Sequence, residues 1–304
     1  MAATYTLNNT LQYILPWVNY MPLTLGATQQ PFIGMCETVA QILLSPPFAP
    51  NFNRGAINFI TTAGVQTYVA AGSWIPANPY SVGQIIIDSN GNGQLVLTAG
   101  VSQTASPPVP PTWATGIFVN TTDGTVVWQC LGSLGAIPQV TDFGWIEKAE
   151  LQDVLNGNAW KELGIQLNLS RDTVTSCPRF ISAQADDNQG DVTFRLMPPP
   201  AGAYPIVVQY QRLHQPFTSL SNLWGPIPDR LFYTYSMGVL ALAYLYKGDE
   251  RYASTSQKFI TGVLAYYGGL TETQKNQFLA NWNASLAETN MQSKAQQAVA
   301  ARGI

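Results

Sequence analysis

From Leu231 to Tyr246 the chain carries no charged residue, and Arg230 and Lys247 bracket the run. Wound as an α-helix, it is apolar on every face, and such a helix is stable only when it is surrounded. Length excludes lipid as the surround. A spanning helix needs about 20 uninterrupted apolar residues, whereas this run is shorter and contains Thr234, Ser236 and Gly238. The helix is therefore expected to be buried in protein. Asp229, after Pro228, is placed to cap its start, and Gly248 to stop it in the left-handed conformation.

Charge scarcity sharpens the question of what supplies the cover. Charged residues make up 10% of the 304, against about 25% in an ordinary soluble chain. A lone monomer so poor in charge struggles to keep its surface free of adhesive patches. The expectation is a large area buried against other chains. A net charge of −3, with 14 Lys and Arg spread thinly, argues against a grip on nucleic acid, which needs clustered cations. Met1 to Tyr20 lacks the basic start and apolar stretch of a secretory signal.

Around that helix the pattern predicts an α+β chain. Gln30 to Leu44 reads as a short amphipathic helix stopped by Pro46 and Pro47. Asn58 to Val69 reads as a β-hairpin turning at Ala63-Gly64. Phe143–Leu151, Phe180–Ala185, Asp191–Met197 and Ile206–Leu213 read as further strands of a mostly antiparallel β domain. After the apolar helix, a second runs from about Glu250 to Tyr267. A third opens on a capping box, Thr271-Glu-Thr-Gln274. Asn283 to Ile304 is rich in Ala, Gln, Ser and Asn and is read as a tail with too little apolar surface to fold alone.

Trp74 to Gly132 has a composition of its own, with no Lys, Arg, His or Glu. Asn90-Gly-Asn-Gly93 lies between Gln84–Ile87 and Gln94–Leu97. Asp123-Gly124 lies between Ile117–Val119 and Thr125–Trp128. Two hairpins joined by the Ser/Pro-rich Ser102–Thr112 make a small β module inserted into the β domain. The expected division is a host domain at 1–73 and 134–228, the module at 74–133, and a helical part with an extended tail at 229–304.

Two resemblances follow from these segments. Trp74, Tyr80-Ser-Val-Gly83, Pro111-Thr-Trp113 and Thr122 through Trp128 to Gly132 resemble a small β module common in phage virion proteins and described there as carbohydrate-binding-like. It implies that Tyr80, Trp113 and Trp128 either stack on sugar rings or form the module's core. Phe59–Tyr68, Phe143–Ala149, Phe194–Pro199 and Leu240–Tyr252 resemble head-to-tail adaptor or neck subunits of tailed bacteriophages. That likeness implies a ring beneath the portal, commonly of twelve copies, which touches the portal protein and the tail or nozzle proteins. The ring lines part of the DNA exit path, so genomic DNA is a passing contact. It also implies a virion location after assembly in the host cytoplasm. Arg230, Leu286, Met291, Lys294, Val299, Arg302 and Ile304 are the expected ring or portal contacts.

Catalysis is expected to be absent, and no cofactor or metal is expected. Asp186-Asp187 sits in a polar turn, and Glu147 and Glu150 flank Lys148 as charge partners. His214 is read as a surface or interface histidine. Cys36, Cys130 and Cys177 are read as reduced thiols. No phosphate loop, serine elbow or His/Cys metal spacing occurs. A virion glycan hydrolase needs two facing carboxylates, and the module holds only Asp88 and Asp123. The alternative function is a receptor- or glycan-binding tail or fibre protein. The helical C-terminal part separates the two, because fibre tips are β-rich trimers.

Overall fold

The fold is α+β. The computed structural model describes residues 4–18, 24–25, 29–103, 109–138, 140, 142–170, 173–185 and 192–301, with side chains described throughout except at 24–25, 185 and 294–301. The chain divides into two compact units, residues 1–54 with 213–304, and residues 55–212.

The first unit is helical. It holds α1 (Leu7–Val18), a short pair β1 (Thr24–Leu25) and β2 (Gln30–Pro31), α2 (Phe32–Leu44), α3 (Phe232–Lys247), α4 (Arg251–Tyr266) and α5 (Glu272–Ala301). α3 is the apolar run, and its residues from Tyr235 to Leu245 are all buried. α1, α2, α4 and α5 all pack on it, in one core with Phe259, Phe278 and Trp282. The expected burial on every face is met within the unit itself. Gly238 permits the close approach of α4, since a Cβ there would come within 2.9 Å of the Phe259 ring.

The helix ends follow the sequence in part. Gly248 takes φ +72°, and the N–H groups of Gly248 and Asp249 donate to Leu245 and Tyr244, closing the last turn. Thr271 and Gln274 form the capping box in both directions. Asp229 does not cap α3. It lies in a 3-10 turn, Asp229–Leu231, and its carboxylate accepts from the Thr4 N–H and hydroxyl, which hold its pKa below the ordinary value.

Residues 1–54 and 213–228 belong with these helices and not with the β domain. The reason is α1, which buries Leu7, Leu11, Ile14 and Val18 along one stripe in the helical core. Pro16 and the Asn8-Asn9 pair disguise that stripe in the sequence.

The second unit is built on two sheets. Its strands are β3 (Arg54–Ile60), β4 (Thr67–Ala70), β5 (Pro79–Tyr80), β6 (Ile85–Ile87), β7 (Asn92–Thr98), β8 (Gly100–Val101), β9 (Asn120–Asp123), β10 (Val126–Ser133), β11 (Gly135–Ile137), β12 (Phe143–Asp153), β13 (Ala159–Glu162), β14 (Gly164–Ile165), β15 (Phe180–Ala185), β16 (Val192–Met197) and β17 (Pro205–Arg212). One sheet has the order β13-β12-β17-β3 and the other β11-β4-β16-β15-β14. Their inward residues, among them Ile57, Tyr68, Phe194 and Val208, share one core. The expected hairpin at 58–69 is not formed: β3 and β4 lie in different sheets. Between them the Tyr68 hydroxyl donates to Val65 and accepts from the Thr62 N–H, which pins the crossing.

β5 to β10 make the inserted module. It has its own four-stranded sheet, β6-β7-β10-β9, beside the pair β5-β8. Its strands pair as expected around Asn90–Gly93 and Asp123-Gly124, although the second hairpin starts at Asn120 and leaves Ile117–Val119 outside it. The module leaves after β4 and returns at β11, and these two pair in parallel with Tyr68 opposite Gly135 and Ala70 opposite Ile137. Ala70 and Gly135 therefore lie about 8 Å apart by strand spacing. Deleting Trp74–Gly132 leaves five residues to span that gap, and loop closure depends only weakly on length. The shortened chain is expected to keep a cooperative melting transition in circular dichroism. A non-cooperative melt would show the module to be part of the host core.

Candidate functional site

Each expected contact residue can be followed to its place. In the module, Tyr80, Trp113 and Trp128 are all buried. Tyr80 and Trp113 meet the Trp128 ring edge-on, at centroid distances of 4.8 and 5.7 Å. Edge-to-face packing is what a small core uses. The Tyr80 hydroxyl accepts from the Ile75 N–H. Of the two readings open for these rings, burial gives the core, since none offers a face to solvent.

Asp123 organises that core. It is fully buried, and its carboxylate accepts from the Trp74 indole at 2.7 Å, the Trp128 indole at 3.3 Å and the Gln103 N–H at 3.0 Å. Asp88 does the same for the Asn90–Gly93 turn, accepting from the N–H groups of Asn90 and Asn92 and from the Gln94 amide. Both acids of the module therefore serve as structural acceptors. Asp123→Ala would leave two indole N–H groups without their acceptor. It is expected to destabilise the module by about 2–4 kcal/mol, read as earlier loss of Trp128 near-UV signal in a denaturant titration, with the helical signal unchanged.

The C-terminal candidates divide. Leu286 packs on the helical core of its own unit, and the Ser293 hydroxyl donates to the Tyr246 carbonyl. Residues 283–293 are thus a docked part of α5, which corrects the reading of a tail that begins at Asn283. The docking contacts are thus the Leu286 side chain and the Ser293 hydroxyl, whereas the Ser285 and Thr289 hydroxyls bond back to carbonyls four residues earlier in α5 itself. Met291 is exposed. Lys294 and Val299 fall in the last turns of α5, where side chains are not described, and Arg302 and Ile304 lie outside the described residues. Arg230 is exposed but engaged: its guanidinium donates to the Tyr266 hydroxyl and lies over that ring.

The residues weighed for chemistry have structural partners. His214, expected at a surface or an interface, is buried at its side chain. Its Nε2 lies 3.1 Å from Glu37 Oε2, off the hydrogen-bond line. Glu37 also accepts from the Phe217 N–H. Lys148 pairs with Glu150 at 2.8 Å, and Glu147 accepts from Gln211. Cys36 is buried and burial pushes its thiol pKa up; burial also raises that of Cys177, which is half-buried. Asp186-Asp187 lies outside the described residues. Among the described residues no group of three or more His, Cys, Asp or Glu is placed to hold a metal.

A further surface stands out. From 154 to 168 every residue except Leu163 is exposed. Val154, Leu155, Trp160, Ile165 and Leu167 are among them, the last 93% exposed. β13 and β14, one residue apart in the chain, are edge strands of the two sheets. An Asn156-Gly157 turn, with Gly157 and Asn158 at positive φ, is the hairpin signal that marks this segment in the sequence. Open edges beside exposed apolar side chains are the feature that monomeric proteins suppress.

One ion pair anchors the segment. Lys161 reaches inward to the buried Asp153, which also accepts from Asn156. The Lys161 hydrogen bond holds the Asp153 carboxyl below its ordinary value of 3.8. Its contribution to stability is whole above the ordinary carboxylate range and is lost as the pH falls through the lowered pKa. Thermal melts between pH 2 and 6 should show wild type losing stability over that interval, and Asp153→Asn should lack that part of the loss.

Comparison with known sequences adds no name: no family model matches the chain, and no curated protein matches it.

Proposed function

We propose that this chain is a non-enzymatic structural subunit of a tailed-bacteriophage virion, a head-to-tail adaptor that assembles as a ring beneath the portal. The observation that carries this reading is the exposed 154–168 rim. It combines five large apolar side chains with open strand edges in a chain where charged residues are scarce. A lone soluble subunit with that rim would be prone to edge-to-edge association, so assembly is its natural state. The five-helix unit supports an adaptor over a fibre tip. Uniform structural use of Asp88, Asp123, Asp153 and Glu147 supports a scaffold over an enzyme. In this reading the partners are further copies, a dodecamer by the resemblance, together with the portal and the tail or nozzle proteins. Genomic DNA passes through the channel.

One observation favours the second reading, a receptor- or glycan-binding tail protein. Ile117, Phe118 and Val119 are consecutive and exposed on the module, and Phe118 holds φ +65°, a conformation costly for a bulky residue. Negative-stain images of the purified chain decide between the readings. Rings with rotational symmetry and a central channel are expected. Three-fold fibres, or particles that stay single at high concentration, would contradict the adaptor reading.

The end of α5 supplies a separate test. Residues up to Ser293 dock on their own unit, so truncation after Ser293 is expected to leave the melting temperature unchanged and to abolish docking to portal-bearing heads. Truncation after Trp282 removes Leu286 and the Ser293 bond as well, and is expected to cost about 1–3 kcal/mol of stability. A chain ending at Ser293 that completes the head-to-tail joint as wild type would show that the end of α5 has no docking role.

A further inference from the structure

We propose that the ring closes by strand addition: β13 of one subunit pairs with β3 of the next and joins their sheets. This deepens the ring reading above and rests on it.

The sheet β13-β12-β17-β3 has two ends, with no further strand beyond either among the described residues. β13 and β17 are both antiparallel to β12. The Thr61 N–H donates to the Tyr204 carbonyl at 3.0 Å, and Gly55 lies against the Tyr210 ring. β3 therefore runs antiparallel to β17. With four alternating strands, β13 and β3 point in opposite directions. A second copy set beside the first in the same orientation brings its β3 antiparallel to β13. Copies in one orientation, meeting through two different surfaces, are what a closed ring requires.

Backbone parity agrees. Leu163 donates to the Ala149 carbonyl across the β12–β13 ladder. In an antiparallel ladder every second residue faces the same neighbour. Ala159 and Lys161 thus face β12, while Trp160 and Glu162 turn their N–H and C=O groups to the open edge. On β3, the bond from Thr61 assigns Gly55, Ile57 and Phe59 to β17. Arg54, Ala56, Asn58 and Ile60 face outward by the same alternation, and their side chains are the exposed ones.

Side-chain chemistry selects a register. Glu162 stands directly opposite Glu150, and like charges so placed repel. Lys148, bound to Glu150, lies in the field of both acids. Arg54 of the next copy, set opposite Glu162, would add a second cation beside the pair. The same register puts Ala56 opposite Trp160, a small side chain beneath a large ring. The other charge on β13, Lys161, is half exposed but has its ammonium tied to Asp153.

The test measures self-association by sedimentation over a range of concentrations, with melting as the control for folding. Glu162→Pro removes a donor that faces the open edge and leaves the β12 ladder intact. It is expected to melt as wild type and to weaken self-association by tenfold or more, on the order of 1.4 kcal/mol. It keeps β3, so added to wild type it should cap and shorten assemblies. Glu162→Arg and Arg54→Glu are each expected to weaken association, and their combination to restore it, which separates a seam from general damage. Wild-type rings that persist unchanged in all three variants, a double variant with no restoration, or Glu162→Pro left out of wild-type assemblies would overturn the seam while leaving the ring. A wild-type chain that never self-associates would overturn both.

Discussion

A helix with eleven consecutive buried residues, Tyr235 to Leu245, dictates the helical unit. It has no solvent face, so it needs neighbours on every side. α1, α2, α4 and α5 provide them, drawn from both ends of the chain. That is why residues 1–54 leave the β strands they precede and join helices more than 170 residues away. The contacts follow from the same need: Gly238 admits the Phe259 ring, and the buried Tyr235 and Trp282 satisfy their polar atoms on the Cys36 carbonyl and the Ser256 hydroxyl.

Because the helical unit covers its own apolar helix, the scarcity of charge has to be explained elsewhere. The β unit offers the explanation. Its two sheets bury a continuous core, and its module is closed around Asp123 and three aromatic rings. Among the described residues no strand covers the 154–168 rim, and its charges are Lys161, tied to Asp153, and Glu162. The proposed role as one copy among many places the low charge and the open edge under a single cause.

How much of this was legible in the sequence varied with the kind of signal. Strong local chemistry read correctly: the Thr271–Gln274 box, the Gly248 stop, the β15 boundaries and the turns at Asn90–Gly93 and Asp123-Gly124. Choices made by tertiary structure did not. Ala63-Gly64 has the residues of a hairpin turn, yet β3 and β4 separate because each finds better partners, β17 and β16, far along the chain. Asp229 has the position of an N-cap but is held by Thr4. The module's aromatics left core and sugar contact open, with the core reading favoured for Trp128, and burial decides for core in all three. α1 was hidden by Pro16, and the docking of residues 283–293 by its dependence on one apolar side chain, Leu286, and one hydroxyl, Ser293. The apolar residues of the rim have no clean period, so no pattern in the sequence marks them as one surface.

The central claim is that a neighbouring copy completes the open edge of the β unit. Residue-resolved hydrogen exchange of β13 in dilute and in assembled protein tests it most directly. Ala159 and Lys161 face β12 and should be protected in both states. Trp160 and Glu162 face the open edge and should exchange rapidly when dilute and slowly once assembled. Rapid exchange of Trp160 and Glu162 in both states, with assembly verified in the same sample, would contradict the account.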